Sequence, residues 1–467
     1  MVAGTLVRRW LAHRTSPPMT HPFLPVFLWA ALAAPNPEDP LPATQSSDPE
    51  SQSSDSVEPS PPGPDGPEFG PEPGQAQEPP AGPAPQFQIP VRENSLRVFW
   101  QDSLRLETED QQFRLQIGGR VHLDAAFADN QDSFDAAGID TSDRIAFRRA
   151  RLHAAGTIYE NIDFYAAYEF AEDRVESRGI YLRFPHLFGG NLLVGNFKEP
   201  FSLEWLTSSN YLTFIERGLP NALTPGYQTG VMLTGDRDDG ALNWAVGLFR
   251  AESDPIGESI GDGQNALTAR LTYAFEDLGG KDDTLLHLGA AYSRRSLDAY
   301  QVAQFPEAST ADVFASTGLI AGVERVELVG LEAAGVVGPF SLQAEYISSD
   351  VEAEASGDPR LDGWYASASY FLTGESRPYS GGSFRRVRPL ENWRGFGQGS
   401  GALELAVRYS ELDLDEAVQD QTLENLTIGL NWHLNPNTRI QANWIRTDVG
   451  LADDDTSIFA LRFQVIF

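Results

Sequence analysis

The last eleven residues, 457–467, alternate between side chains suited to opposite faces of an extended strand. One face carries the apolar side chains of Phe459, Leu461, Phe463, Val465 and Phe467. The other carries Ala460, Arg462 and Gln464. Since neighbouring side chains of a strand point to opposite sides, such a segment needs lipid or a protein core on one face and water on the other. It therefore predicts a sheet whose two faces meet different environments.

The same alternation recurs through the chain from Leu96 onward and marks sixteen candidate strands. They lie near 113–127, 144–159, 162–171, 177–184, 191–198, 228–235, 241–252, 264–276, 284–295, 323–337, 340–350, 362–373, 401–412, 424–434, 437–448 and 457–467. Most exceed the roughly 9 to 11 residues with which a tilted strand crosses the hydrocarbon of a membrane. We expect residues 96–467 to form an all-β, 16-stranded antiparallel transmembrane β-barrel.

The closing strand resembles the terminal strand of bacterial outer-membrane barrels, in which a final Phe is part of the insertion signal. In a barrel the last strand pairs with the first, so that no edge is left unpaired in hydrocarbon. An even strand count puts both ends on the periplasmic side, with short turns there and longer loops outside. We expect a location in the outer membrane of a diderm bacterium, in contact with its lipid.

Two segments precede the barrel. Residues 1–34 have the features of an export signal peptide: Arg8, Arg9 and Arg14, an apolar stretch up to Ala34, and small residues for cleavage. The true start is Met1 or Met19. Residues 35–95 are rich in Pro, Ser and Glu, and predict a disordered periplasmic linker because they offer little apolar surface to bury. An alternative function is a barrel that anchors the envelope through this arm.

Composition argues against several classes of function. The net charge of −32 argues against a nucleic-acid partner. The absence of cysteine removes disulfides, thiolate zinc sites and cysteine nucleophiles. The seven histidines are scattered without partner spacing, and no phosphate-cradling glycine loop or zinc signature appears. We therefore expect no catalytic residue, no metal and no cofactor; a hydrolase in the same barrel and a soluble β-rich binding protein are the less favoured alternatives.

One motif resembles a known family, the phosphate-selective porins O and P. It reads Gly195-Asn-Phe-Lys-Glu-Pro-Phe-Ser-Leu-Glu-Trp-Leu206 and is followed by Glu216-Arg217. Gly118-Gly-Arg120, Arg148-Arg-Ala-Arg151 and Thr373-Gly-Glu375 match in order. The resemblance implies a sixteen-stranded barrel, usually a homotrimer, whose third loop folds inward across residues 199–227. The constriction residues that it implies are Lys198, Glu199, Pro200, Phe201, Glu204, Glu216 and Arg217.

The face opposite the apolar one predicts a basic lumen. Its basic residues are Arg114, Arg120, Arg149, Arg151, Arg183, Lys198, Arg270, Arg408 and Arg462. Its acidic residues are Asp124, Asp163, Glu169, Glu345 and Glu404. Arginine can hold a carboxylate or phosphate in passage, so the pattern indicates a passive diffusion channel for small anionic or polar solutes, phosphate or polyphosphate among them. The alternative is that these arginines pair with neighbouring carboxylates and only stiffen the wall.

Phosphate specificity and a second basic segment stay open at this stage. The family's phosphate-selective members carry a lysine cluster at the constriction, whereas this loop has Lys198 alone, with Glu199, Glu204 and Glu216 around it. A pairing of Glu216 with Arg217 would relieve part of that negative charge. Residues 374–400 form either a connection folded into the barrel or an exposed basic turn.

Overall fold

The structure is a computed structural model that describes residues 95–129, 134, 136, 138–171, 175–251, 264–276, 284–395, 397–452 and 455–467. The predicted export signal and all but the last residue of the linker lie outside the described residues. Sixteen long strands occur in the described part of the chain. They are β1 Phe113–Ala128, β2 Arg144–Ile158, β3 Ile162–Glu169, β4 Glu176–Leu187, β5 Gly190–Lys198, β6 Tyr227–Arg237, β7 Leu242–Arg250, β8 Asn265–Glu276, β9 Thr284–Arg295, β10 Arg325–Val337, β11 Phe340–Glu352, β12 Arg360–Phe371, β13 Ala402–Asp413, β14 Thr422–Asn435, β15 Thr438–Val449 and β16 Thr456–Ile466.

These strands close into one antiparallel barrel. Each pairs with the next along the chain, and β16 returns to pair with β1. The seam runs from Ile458 opposite Ala128 to Ile466 opposite Arg120. Closure leaves no free sheet edge along the seam, which is the condition for a strand-built protein to lie in lipid. The predicted sixteen-stranded barrel is confirmed.

The alternation in the sequence becomes the two faces of the barrel wall. On β16, Phe463 is 50% exposed outward while Arg462 is 0% exposed and faces inward. Other strands repeat this, with outward apolar side chains on every side of the barrel: Ile145, Leu152, Leu182, Val231, Leu248, Leu271, Leu288, Leu331, Leu342, Leu405 and Ile428. An exposed apolar surface of this extent is unusual for a soluble monomer and suits lipid.

The connections differ at the two ends of the barrel. Several turns at one end are short, such as residues 159–161 and 338–339, whereas loops of residues 199–226 and 296–324 join strands at the other end. Helical structure is scarce in the described residues: besides a single turn, α1 (Leu203–Leu206), they contain short 3-10 turns and two helical residues at 134 and 136. No helix in the described residues is long and apolar enough to cross a membrane.

A short hairpin precedes the barrel and was not expected from the sequence. Its strands, Leu96–Trp100 and Leu104–Thr108, pair with each other. The second strand also pairs with the start of β1, from Leu104 opposite Ile117 to Glu107 opposite Arg114. This part of β1 lies beyond the reach of β16, whose pairing stops at Arg120, so the hairpin takes up backbone groups that the seam leaves free.

Candidate permeation site

The third loop, residues 199–226, runs through the inside of the barrel. Six of its apolar side chains are almost completely buried: Phe201, Leu203, Leu212, Phe214, Ile215 and Leu219 are each 2% exposed or less. Burial of this kind requires the barrel wall on one side and the loop itself on the other. The inward-folded third loop expected from the family resemblance is confirmed.

A carboxylate of the wall fixes the start of α1. Glu345 on β11 accepts hydrogen bonds from the backbone N–H groups of Leu203, at 2.9 Å, and Glu204, at 2.7 Å. The hydroxyl of Tyr365 donates to the same carboxylate at 2.7 Å. The first N–H groups of a helix have no partner within the helix, and a negative charge there is favourable. Glu345 therefore anchors the loop to the wall.

Side chains of the wall satisfy the backbone carbonyls of the loop. A chain buried without secondary structure must find partners for these groups, because an unpaired buried carbonyl is costly. The donors come from strands β13 to β16: Arg408 to Glu216 at 3.0 Å, Asn431 to Thr213 at 2.7 Å, Arg439 to Leu212 at 2.7 Å, Arg462 to Ile215 at 2.5 Å and Gln464 to Asn210 at 3.0 Å. Several inward-facing polar residues thus hold the loop.

Two acidic residues of the loop are paired with buried arginines of the wall. Glu199 is 2.9 Å from Arg295 on β9, and Glu204 is 3.1 Å from Arg408 on β13. Glu307, from the fifth loop (residues 296–324), also binds Arg408 at 2.6 Å. Burial raises the pKa of both Glu199 and Glu204, and the paired guanidinium groups oppose that rise. Neither loop carboxylate is an uncompensated charge.

Glu216 binds three arginines of the wall. Its carboxylate lies 3.0 Å from Arg148, 3.5 Å from Arg149 and 2.8 Å from Arg462, which also forms a two-pronged pair with Asp124. Burial alone would raise the pKa of Glu216, but the guanidinium groups lower it well below its usual value. A pairing of Glu216 with Arg217, which the sequence left open, is wrong.

A basic cavity of about 590 Å³ lies between the third loop and strands β1 to β6. Seven cationic residues line it: Arg120, Arg148, Arg149, Arg151, Arg178, Lys198 and Arg217. Its two acidic residues, Glu169 and Glu216, are both ion-paired. Because Glu199 and Glu204 turn toward other strands, the loop contributes only Glu216 and Arg217 to the charge of this space, and the surplus of positive charge comes from the strands.

Three of the seven cations form no ion pair with a carboxylate in the described part of the chain. Arg217 donates to the carbonyls of Glu204 and Thr207, each at 2.9 Å. Lys198 donates to the carbonyl of Trp205 and lies 4.3 Å from the centre of its indole ring. Arg120 donates to the hydroxyl of Ser209 at 2.9 Å. The guanidinium charges of Arg120 and Arg217 are held by neutral groups and act on the cavity.

The residues that the sequence assigned to the pore wall divide into groups. Arg120, Arg149, Arg151 and Lys198 line the basic cavity. Arg408 and Arg462 are buried against the third loop. The others lie outside the cavity lining: Arg183 pairs with Asp163, Arg270 with Glu332, and Arg114 donates to Thr157 at 3.2 Å. Of the constriction residues, Pro200 and Phe201 lie in the buried stretch that enters the barrel.

Two β-bulges add arginines that strict alternation assigns to the outside. On β2, Arg148 is skipped in the pairing with β1, because His122 lies opposite Arg149 and Leu123 opposite Phe147. On β4 the register shifts beside Arg178, next to a glycine with φ of 115°. An extra residue in one strand reverses the side on which the next side chain points. A glycine inside a strand, Gly179, is a sequence signal for the bulge on β4. No residue of β2 gives such a signal for the bulge at Arg148.

The connection between β12 and β13 also enters the barrel, where Glu375, Arg377, Ser383 and Phe384 are buried. Arg377 donates to Gln343 at 2.8 Å, and Arg270 donates to the carbonyl of Gly382 at 2.9 Å. The segment touches the third loop, where Arg386 approaches the hydroxyl of Tyr211 at 3.5 Å. Of the two readings that the sequence left open, the inward one is right.

Comparisons with known proteins agree with this architecture. The sequence profile of the family described as "Phosphate-selective porin O and P" matches residues 115–467. Porin O of Pseudomonas aeruginosa is 27% identical over 413 residues, which cover 78% of this chain and 91% of that protein. An uncharacterized protein of Caulobacter vibrioides is 30% identical over 335 residues, covering 68% and 65%.

Among solved structures, an anion-selective porin from Comamonas acidovorans has a TM-score of 0.49 and 13% sequence identity, and the match covers 76% of this chain and 100% of that one. The family match spans the closed barrel, from β1 to the final strand, including the inward third loop. The chain belongs to the phosphate-selective porin O and P family and is a channel protein of the bacterial outer membrane.

Proposed function

We propose that the chain is a passive diffusion pore for small anions and that these cross the barrel through the basic cavity. The observation that carries the proposal is the charge of that cavity, with seven cationic residues and two carboxylates that are both ion-paired. A surplus of fixed positive charge in a narrow, partly apolar space attracts anions and repels cations.

The proposal gives the arginines two roles. One group lines the path of the anions and consists of the seven cationic residues of the cavity: Arg120, Arg148, Arg149, Arg151, Arg178, Lys198 and Arg217. Arg408 and Arg462 position the loop that narrows it. The path cations are mostly arginines, whose planar groups offer several weak stations to a passing oxyanion. Phosphate, named in the family description, is one anion of this kind, and passive permeation needs no catalytic group or cofactor.

Reversal potentials in planar bilayers under a KCl gradient test the proposal. We expect a chloride-selective pore. A unit charge acts on an ion 4 Å away with roughly 1 kcal/mol even at the dielectric constant of water, which changes a permeability ratio about fivefold. Arg120→Gln and Arg217→Gln should each lower the chloride-to-potassium ratio by about that factor. Arg294→Gln, at an outer position that is 57% exposed, is the matched control and should leave it unchanged. A cation-selective wild type would refute the proposal.

We further propose a homotrimer in the outer membrane, a cleaved export signal at residues 1–34 and a periplasmic linker at 35–95. The family match lies in the barrel, which favours transport over the alternative of an envelope anchor. Mass measurement of the detergent-solubilised protein tests the trimer, and N-terminal sequencing of the exported protein tests the cleavage. A monomer in mild detergent would refute the first of these, and an intact Met1 the second.

A further inference from the structure

The basic cavity has an apolar side. Tyr165 on β3, Tyr181 on β4 and Phe197 on β5 lie on three adjacent strands and line it. The rings of Tyr165 and Tyr181 stack with centres 5.3 Å apart and planes at 24°, and Phe197 meets Tyr181 edge-on at 5.7 Å. We call these three residues the aromatic wall. Leu193, Met232 and Phe305 extend the apolar lining.

Permeation of inorganic ions gives no reason for such a lining. Apolar surface left facing water costs about 25 cal/mol for each Å² that a solute could have covered. Tyr165 and Tyr181 are only partly buried, so part of their surface remains open. Neither hydroxyl has a hydrogen-bond partner among the described residues, and each can donate to a solute. The combination of an apolar wall with a few polar groups, in a space of about 590 Å³, is typical of a site for an organic molecule.

The charged groups lie in the same space. The cavity is lined both by the aromatic wall and by the three cations that have no carboxylate partner among the described residues. These cations are Arg120, Lys198 and Arg217. A solute with a carboxylate at one end and a flat apolar body at the other matches both linings at once. Inorganic phosphate matches only the first.

We propose that the cavity selects small aromatic carboxylates, of which benzoate is the simplest, over acetate and over inorganic phosphate. The carboxylate interacts with Arg120, Lys198 and Arg217, and the ring lies against Tyr165 and Tyr181, while the buried Phe197 supports Tyr181 from behind. This inference rests on the proposed anion pore and specifies its solute class.

The test is the block of chloride current through single channels in planar bilayers, titrated with sodium benzoate, acetate or phosphate. Acetate carries the same carboxylate without the ring and is the matched probe. Half-block by benzoate is expected at a concentration about tenfold lower than for acetate, equivalent to about 1.4 kcal/mol. Phosphate is expected to need a higher concentration than benzoate.

Two variants locate the effect. The half-block concentration of acetate divided by that of benzoate should fall toward one in Tyr181→Ala and in Phe197→Ala. Tyr168→Ala removes an aromatic ring from the outer face, where Tyr168 is 40% exposed, and should keep the wild-type ratio. Heat-modifiable mobility shows whether each variant is folded, and the wild-type titration decides the question even if a cavity variant is not.

The outcomes separate the two proposals. A chloride-selective pore in which benzoate and acetate block equally, or in which phosphate blocks best, overturns the aromatic solute class and leaves the anion pore standing. The aromatic solute class is also overturned if Tyr168→Ala reduces the ratio of acetate to benzoate half-block concentrations as much as the cavity variants do. A pore that is not anion-selective overturns the proposed function, and this inference falls with it.

Discussion

Replacing Glu216 with Gln tests whether ion pairs, rather than loop stiffness, hold the third loop against the wall. The carboxylate of Glu216 contacts Arg148, Arg149 and Arg462. Glutamine keeps nearly the same shape but carries no charge. The substitution therefore removes the electrostatic attraction with little change in packing.

The loss of stability depends on how well the arginines that contacted Glu216 are compensated after the substitution. Breaking a buried ion pair from one side costs about 3 to 5 kcal/mol, because the remaining charge is left uncompensated. Arg462 keeps Asp124, and the side chain of Arg148 is 27% exposed and can be hydrated in part. The side chain of Arg149 is only 8% exposed, so neither a second carboxylate nor water compensates its charge. We therefore expect the lower limit, about 3 kcal/mol of lost local stability.

Hydrogen exchange measured by mass spectrometry on peptides covering residues 208–218 reports this loss. If the loop exchanges by local opening, about 3 kcal/mol corresponds to exchange roughly 100-fold faster. Glu169→Gln is the matched control, because it breaks a buried pair with Arg151 and neither residue forms a hydrogen bond or ion pair with the described residues of the loop; the loop should then exchange at the wild-type rate. Unchanged exchange in Glu216→Gln would refute the idea that these ion pairs hold the loop.

Three further predictions concern the loop and the seam. First, because the folded-state pKa of Glu216 lies well below its ordinary 4.5, its ion pairs contribute their full stability above about pH 5 and lose it progressively as pH falls from there through the lower value; exchange measured as a function of pH should show most of the difference between wild type and Glu216→Gln still present at pH 4.5, and a difference already gone there would contradict the lowered pKa. Second, Glu345→Ala removes the carboxylate that accepts from the N–H groups of Leu203 and Glu204, two hydrogen bonds that each contribute about 0.5 to 1.5 kcal/mol, and should accelerate exchange in residues 199–207; slow exchange there would mean that other contacts fix the helix. Third, a Cβ on Gly119 would lie 2.6 Å from the ring of Phe467, so Gly119→Ala should cost about 1 to 3 kcal/mol in urea unfolding, whereas Gly226→Ala, with nothing within 4 Å, should cost much less; equal midpoints for both variants would contradict this close approach.

The strands could be predicted because each carries its own pattern. Alternation predicted a strand at 284–295, and β9 spans Thr284–Arg295. For β12 the expected 362–373 became Arg360–Phe371, a shift of the strand ends that leaves the inward and outward sets intact, because alternation along the strand and not its end points decides which way a side chain points. The hairpin before β1 was missed, since two five-residue strands offer too few alternations to stand out.

The site could be predicted only in part, because its composition depends on contacts between distant segments. Alternation correctly predicted that Arg462 points inward. Whether its side chain contacts a solute or the third loop depends on the path of that loop, which lies almost 250 residues earlier in the sequence. For the same reason the neighbour Arg217 was a plausible partner for Glu216, while the actual partners come from β2 and β16. The bulge at Arg148 arises from pairing with β1, and no local property of β2 records it.

The hairpin before β1 has a consequence for how copies of this protein meet. An unpaired run of backbone N–H and C=O groups at the start of β1 would be a template for another chain to add a strand. With the hairpin in place, the outermost strand is Leu96–Trp100, only five residues long. Short edge strands are poor templates for sheet extension. Among the described residues, the hairpin thus disfavours aggregation through strand addition at the start of β1, where pairing with β16 ends.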